Sequence, residues 1–132
     1  MSEQPKQSNP GERSINEIIK DLSKPIAQRH LKTRKQGQTT LTYIAWYDAV
    51  KYLDHHASGW SYTIISVHND EKYCIVQVRI SIPCTEGIVS REATGVEELT
   101  NRGYGDYVSN ACSMALRRAA ALFGVGIALY EH

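Results

Sequence analysis

Two consecutive arginines, Arg117 and Arg118, lie within YGDYVSNACSMALRRAAALFGVGIALY, the stretch from Tyr104 to Tyr130 and the longest periodic element of the chain. At helical spacing Val108, Ala111, Cys112, Ala115, Ala119, Leu122 and Phe123 share one side, which predicts a packed face. Arg117 projects from the opposite side among Asn110, Ser113, Ala120 and Ala121, and Arg118 lies on the flank. A fixed charge raised from short side chains suits a phosphate backbone, which needs charge and steric room in one place. The same pattern also describes a packing helix whose arginines are solvated or salt-bridged, so context has to decide.

A second candidate set precedes it. Arg29 to Thr42 reads as a short hairpin or extended loop, with Gln36-Gly37-Gln38 at the turn and Lys32, Arg34 and Lys35 on its first arm. Lys24, Arg29, Lys32, Arg34 and Lys35 place +5 between Lys24 and Gly37 with no acid among them, whereas Glu86 to Asp106 holds five acids against Arg91 and Arg102. The formal net charge of +1 therefore hides a basic zone and an acidic zone. Such segregation allows anion binding and head-to-tail association alike. The basic segment is open to two readings, a solvated loop or a second set of phosphate contacts.

Other chemistries find no support. His55-His56 are adjacent, so their rings leave a helix on different sides, and no third ligand stands near them. Gly124-Val-Gly126 follows a helix and does not open one, as a dinucleotide loop would. There is no GxxxxGK[ST], GxSxG or HExxH string, and Glu97-Glu98 lack a partner base. Cys74, Cys84 and Cys112 are odd in number and scattered, which indicates neither a disulfide framework nor a zinc site. We expect no catalytic centre, cofactor or metal, and an intracellular, cytoplasmic protein without a signal peptide or a membrane span.

The elements that must position these residues follow from local pattern. With 132 residues and 42% hydrophobic content, one domain is expected over 14–132, after a polar, disordered tail over 1–13. Ser14 and Glu17 form a capping box ahead of Ile15, Ile18, Ile19 and Leu22, a short helix that ends before Pro25. Thr40 to Ile44 is a β-type run, and Trp46, Ala49, Val50 and Leu53 have the spacing of an amphipathic helix through about His56. Three strands follow, Trp60–His68, Lys72–Ile82 and Ile88–Val96, the second with Cys74, Val76, Val78, Ile80 and Ile82 on one face. If the turn over Pro83 to Gly87 has an even number of loop residues, Arg79 faces Glu92. Glu97 to Gly105 is expected as a loop. The fold class is α+β: an antiparallel meander of three to four strands with a long helix packed across it.

The order of basic hairpin, helix, three-stranded meander and long helix resembles the single-strand annealing proteins of the Rad fifty-two/Rad twenty-two superfamily. The strings that carry the resemblance are Leu22-Ser-Lys-Pro25, Leu41-Thr-Tyr-Ile44, Gly59-Trp60, Arg91-Glu92-Ala-Thr-Gly95, and Ala115-Leu-Arg-Arg-Ala119 through Leu122-Phe-Gly124 to Leu129-Tyr130. The bacterial and phage branch, with the DNA-end-protecting DdrA type, looks most similar. The resemblance implies single-stranded DNA binding and ATP-independent annealing in recombination or break repair. Arg117 and Arg118 match two basic residues that line a groove holding the strand by its backbone, and Lys32 to Lys35 match the hairpin at its mouth. Together with the segregated charge and open sheet edges it also implies side-by-side assembly into a ring or helical homo-oligomer, duplex DNA at a second site, and a recombinase or single-strand-binding protein as partner. Two positions depart from the pattern: Asp48 replaces a basic residue, and Ala93 an acid. End protection without annealing, an oligomerisation adaptor and a small nuclease are the alternatives.

Overall fold

Ser14 opens the first helix as its spacing predicts, its hydroxyl accepting the Glu17 N–H at 3.2 Å. This helix, α1 (Ile15–Leu22), buries Ile18 and Leu22. In the computed structural model of the protein, which describes residues 9–99 and 106–130, α1 leads through a single 3-10 turn (Gln28–His30) into β1 (Leu31–Gln36) and β2 (Thr39–Ile44). Then come α2 (Trp46–His56), β3 (Ser61–Asn69), β4 (Tyr73–Cys84), β5 (Gly87–Glu98), α3 (Tyr107–Leu122) and a closing 3-10 turn (Ile127–Tyr130). The fold is α+β. Its strands form two antiparallel sheets: the hairpin β1–β2 stands apart, and β3–β4–β5 is a meander in chain order.

The meander follows its alternation. Cys74, Val76, Val78, Ile80 and Ile82 are fully buried on one face of β4, while Arg79 on the other pairs with Glu92 at 2.8 Å. The β4–β5 turn is tighter than the expected Pro83 to Gly87. Cys84 pairs with Gly87 across Thr85-Glu86, and the even loop sets the Arg79–Glu92 register. Pro83 stays inside β4 because β3 begins at Ser61↔Ser81, so at Pro83 the central strand has become an edge that tolerates a missing N–H.

The tail expected over 1–13 lies, for residues 1–8, outside the described residues. The remainder is anchored. Arg13 donates to the His56 carbonyl at 3.0 Å and pairs with Asp21, whose carboxyl it holds below the usual range, while its own carbonyl accepts the Thr85 N–H at 2.9 Å.

Helix α3 differs from its expected face. It starts at Tyr107, with Asp106 as N-cap accepting the Ser109 N–H at 3.0 Å; the preceding segment, with Gly103 and Gly105, lies outside the described residues. Ala111, Ala115 and Ala119 are buried as expected, but so are Leu116, Ala120 and Ala121, whereas Val108 and Leu122 are exposed. The reason is that α3 is covered on more than one side, by β4 and β5 and by α2, so a single apolar stripe does not describe it. Ala120 and Ala121 are therefore core residues and not a bed around Arg117. On α2 the correction runs the other way: Ala49 and Leu53 are buried, but Trp46 stands 48% exposed at the first turn.

At Gly95 of β5 the helix backbone comes directly onto the strand. A Cβ there would lie 1.9 Å from the Ala111 carbonyl oxygen and 2.6 Å from the Ala115 nitrogen, both backbone atoms that cannot swing aside. Gly95→Ala should therefore force α3 off the sheet and lower stability by about 1–3 kcal/mol, the usual range for overpacking. Urea denaturation checks this: a midpoint within error of the parent would show that the helix does not seat on Gly95.

Candidate nucleic-acid interface

The hairpin register sorts the basic residues. Lys32 pairs with Tyr43 and Arg34 with Leu41, so these four side chains share one face, whereas Lys35 pairs with Thr40 and points to the other face with Ile44. Gly37, at φ +64°, makes the tight turn that fixes this pairing. Ile44 is buried and secures the hairpin base to the core.

Between the hairpin and α3 run two clefts. One, of about 530 Å³, is lined by Arg34, Leu41, Tyr43, Arg117, Arg118 and Tyr130 among others. The second, of about 480 Å³, includes Lys32, Arg34, Tyr43, Trp46, Tyr47 and Arg117. Arg34, Tyr43, Met114 and Arg117 line both, so the clefts meet at these side chains. The structure thus brings Lys32, Arg34, Arg117 and Arg118 to one groove. It leaves Lys35 and Arg29 outside the lining, Lys35 on the far face of the hairpin and Arg29 exposed in the 3-10 turn.

Arg117 is not the free pole that helical spacing suggests. It is half-buried, with its guanidinium 5.0 Å above the centre of the Tyr43 ring and its Nε donating to the Ser113 carbonyl at 3.4 Å. The cation–π contact fixes the charge between helix and hairpin. Burial is the main cause that lowers its pKa; Tyr130 and Tyr43 oppose the shift, and the positive charges of Arg34 and Arg118 add to it. A guanidinium stays protonated regardless. Arg118 is exposed on the flank, and its Nη1 donates to the Thr94 carbonyl of β5 at 3.1 Å.

Among the described residues no carboxylate lies within ion-pair distance of Lys32, Arg34, Arg117 or Arg118. Glu97 lines the second cleft. Asp48, where the resemblance places a basic contact, is buried in the first turn of α2 with Lys51 Nζ at 3.9 Å, away from both clefts. Among the described residues no group of three His, Cys, Asp or Glu could hold a metal ion, and no helix is long and apolar enough to cross a membrane.

Sequence reasoning missed the aromatic part of the groove. Tyr43, Trp46, Tyr47 and Tyr130 line it beside the cations. For Tyr43 the signal was present, because pairing outward from a turn at Gly37 sets it opposite Lys32. For Trp46 and Tyr47 nothing local separated a groove residue from a core one.

The chain matches the family model described as "Rad52/22 family double-strand break repair protein" over residues 14–132. It is 35% identical over 121 residues to "DNA repair RAD52-like protein 1, mitochondrial" of Arabidopsis thaliana, covering 90% of this chain and 69% of that protein. To "DNA repair RAD52-like protein 2, chloroplastic" of the same plant it is 34% identical over 123 residues, covering 90% of this chain and 62% of that protein. The chain spans about two thirds of the length of these relatives. Both are plant proteins, so neither supports the expected bacterial or phage branch. With the family's model matched along 119 residues from Ser14 onward and the strings of the hairpin and α3 meeting at one groove, the chain belongs to the Rad52/Rad22 family of double-strand break repair proteins.

Proposed function

We propose that this chain binds single-stranded DNA by its phosphates along the groove between the hairpin and α3, and that it anneals complementary strands without ATP or metal. The observation that supports this reading is Arg117, half-buried over Tyr43 beside Lys32, Arg34 and Arg118, with no carboxylate partner among the described residues. Like charges gathered without counter-ions repel one another, and a polyanion relieves that repulsion while releasing its own condensed cations. A strand held by phosphates keeps its Watson–Crick edges available to a second strand. Pairing then supplies its own free energy, and the protein's part is to hold and present. Lys35 and Arg29, outside the groove, then serve a second strand or duplex.

The chain also acts as a homo-oligomer in this reading. Tyr62, Ile64 and Val67 pair with Ile80, Val78 and Val76, so they face the same side as the core, yet α3 lies over β4 and β5 and leaves them half-exposed. Beside them β3 is a free sheet edge nine residues long. A second copy covers both, and side-by-side repetition joins the grooves into one track.

Arg117→Ala should weaken single-stranded DNA binding for all sequences alike and flatten the dependence of log K on log salt by about 0.7 for each phosphate that the variant no longer engages. Anisotropy at three or more salt concentrations reads both quantities, and an unchanged curve would remove the main physical support for the groove. Arg118→Ala should act in the same direction but also loosen the helix flank from Thr94. Complementary labelled oligonucleotides should anneal, and should still anneal in EDTA without nucleotide; annealing lost only in EDTA, with binding retained, would overturn its independence of metal, and binding without annealing under any condition would shift the reading towards end protection. Ile64→Asp should lower the mass measured by light scattering, and a parent protein that is monomeric with and without DNA would sink the oligomer.

A further inference from the structure

The second cleft holds a pair of aromatic side chains that phosphate binding does not use. Trp46 and Tyr47, at the start of α2, stand 48% and 45% exposed, although large aromatic side chains gain most by burial. Their rings meet edge to face, with centroids 5.7 Å apart and an interplanar angle of 79°, which leaves at least one face of each ring uncovered by the other. They line the same cleft as Lys32, Arg34 and Arg117. An open aromatic face beside a cation is the pairing that holds an unstacked base and its phosphate together.

We infer that this cleft is a nucleobase site: Trp46 and Tyr47 receive one unstacked base of a bound single strand while Lys32, Arg34 and Arg117 hold the adjoining phosphates. The inference rests on the proposed binding of single-stranded DNA and adds to it a stacking contact that charge alone does not provide. The lining polarises the cleft. Glu97 repels phosphate from its own position, which directs the backbone to the cationic side, and Asn110 offers hydrogen-bonding groups to a base edge. One stacked base at intervals also fixes the register of a strand that phosphate contacts alone would let slide, since those contacts are the same at every nucleotide.

The test uses the full chain, a thymidine oligonucleotide and an abasic oligonucleotide of equal length. The chain has two tryptophans, so Trp60→Phe leaves Trp46 as the reporter. Its fluorescence should be quenched by the thymidine strand and not by the abasic one. Trp46→Ala should weaken thymidine binding about tenfold, leave abasic binding and the salt slope unchanged, and be largely rescued by Trp46→Phe. Unquenched Trp46 at saturating thymidine oligonucleotide, or equal weakening towards both strands, overturns the inference while leaving groove binding intact. Absent quenching with a fall in oligomer mass for Trp46→Ala would assign the aromatic pair to a contact between subunits and likewise overturn it. If neither oligonucleotide binds the parent protein, the DNA-binding reading itself falls, and this one with it. The quenching measurement needs no disabled variant, so a misfolded Trp46→Ala protein does not blunt it.

Discussion

The seating of α3 on β5 is the contact from which the rest of the geometry follows. Because Gly95 has no side chain, the backbone of Ala111 and Ala115 comes down onto the strand, and neighbouring β5 residues then engage the helix in turn. The Val96 N–H donates to Met114 Sδ at 3.4 Å, Thr94 accepts from Arg118, and Arg91 donates to the Leu122 carbonyl with its guanidinium 4.8 Å over the Phe123 ring. Arg91 thereby satisfies a carbonyl at the helix C-terminus, where a cation is also favoured by the dipole. Just beyond, Gly124 (φ +112°) passes so close to Ser23 that a Cβ would lie 2.1 Å from its hydroxyl, so the end of α3 meets the end of α1. With the body of the helix seated on Gly95 and its C-terminus fixed, packing sets the side of α3 from which Arg117 and Arg118 leave, and their contacts with Tyr43 and Thr94 then aim them.

Charge is then sorted by pairing. Asp21 is matched by Arg13 and Lys24, Glu92 by Arg79, and Asp48 lies beside Lys51, all away from the groove. The cations facing the groove keep their positive potential because these acids are engaged elsewhere. A net charge of +1 consequently says little about the local field, which falls off within about 8–10 Å at physiological salt. Exposed pairs such as Arg79–Glu92 contribute at most about 1 kcal/mol to stability. Their larger effect here is on where the unpaired charge remains.

Features governed by near neighbours in sequence were legible: the Ser14 cap, the alternation of β4, the Gly37 hairpin and the Arg79–Glu92 register. Each is set within a few residues or across one tight turn. The outward face of α3 was not legible, because alanine serves equally well under a sheet, beside a second helix or in solvent, and Ala120 and Ala121 carry no mark of which applies. Trp46 misled in the opposite sense, since its size argues for the core while its place on the first turn of α2 carries it past the edge of what α2 buries. Lys35 was separable from Lys32 and Arg34 by strand alternation alone. Grouping the three as one basic arm, although a strand turns successive side chains to opposite faces, concealed that only two of them look into the groove.

The hairpin is the less secure wall. A two-stranded sheet is at best marginally stable alone, so β1–β2 must be held from outside. Its attachments lie at the base: Ile44 is buried in the core, His30 Nδ1 and the Tyr52 hydroxyl lie 2.9 Å apart just ahead of β1, and Arg117 sits over Tyr43. Towards the tip, from Arg34 to Thr40, the described side chains are exposed. One of these attachments is therefore made by a groove cation itself. The guanidinium that the proposed reading turns towards phosphate is thus also a contact between the hairpin and α3. The two walls are held by different kinds of contact: α3 by close backbone packing on Gly95 and by Arg91 at its C-terminus, the hairpin by a buried Ile44, the His30–Tyr52 contact and the Arg117–Tyr43 cation–π contact.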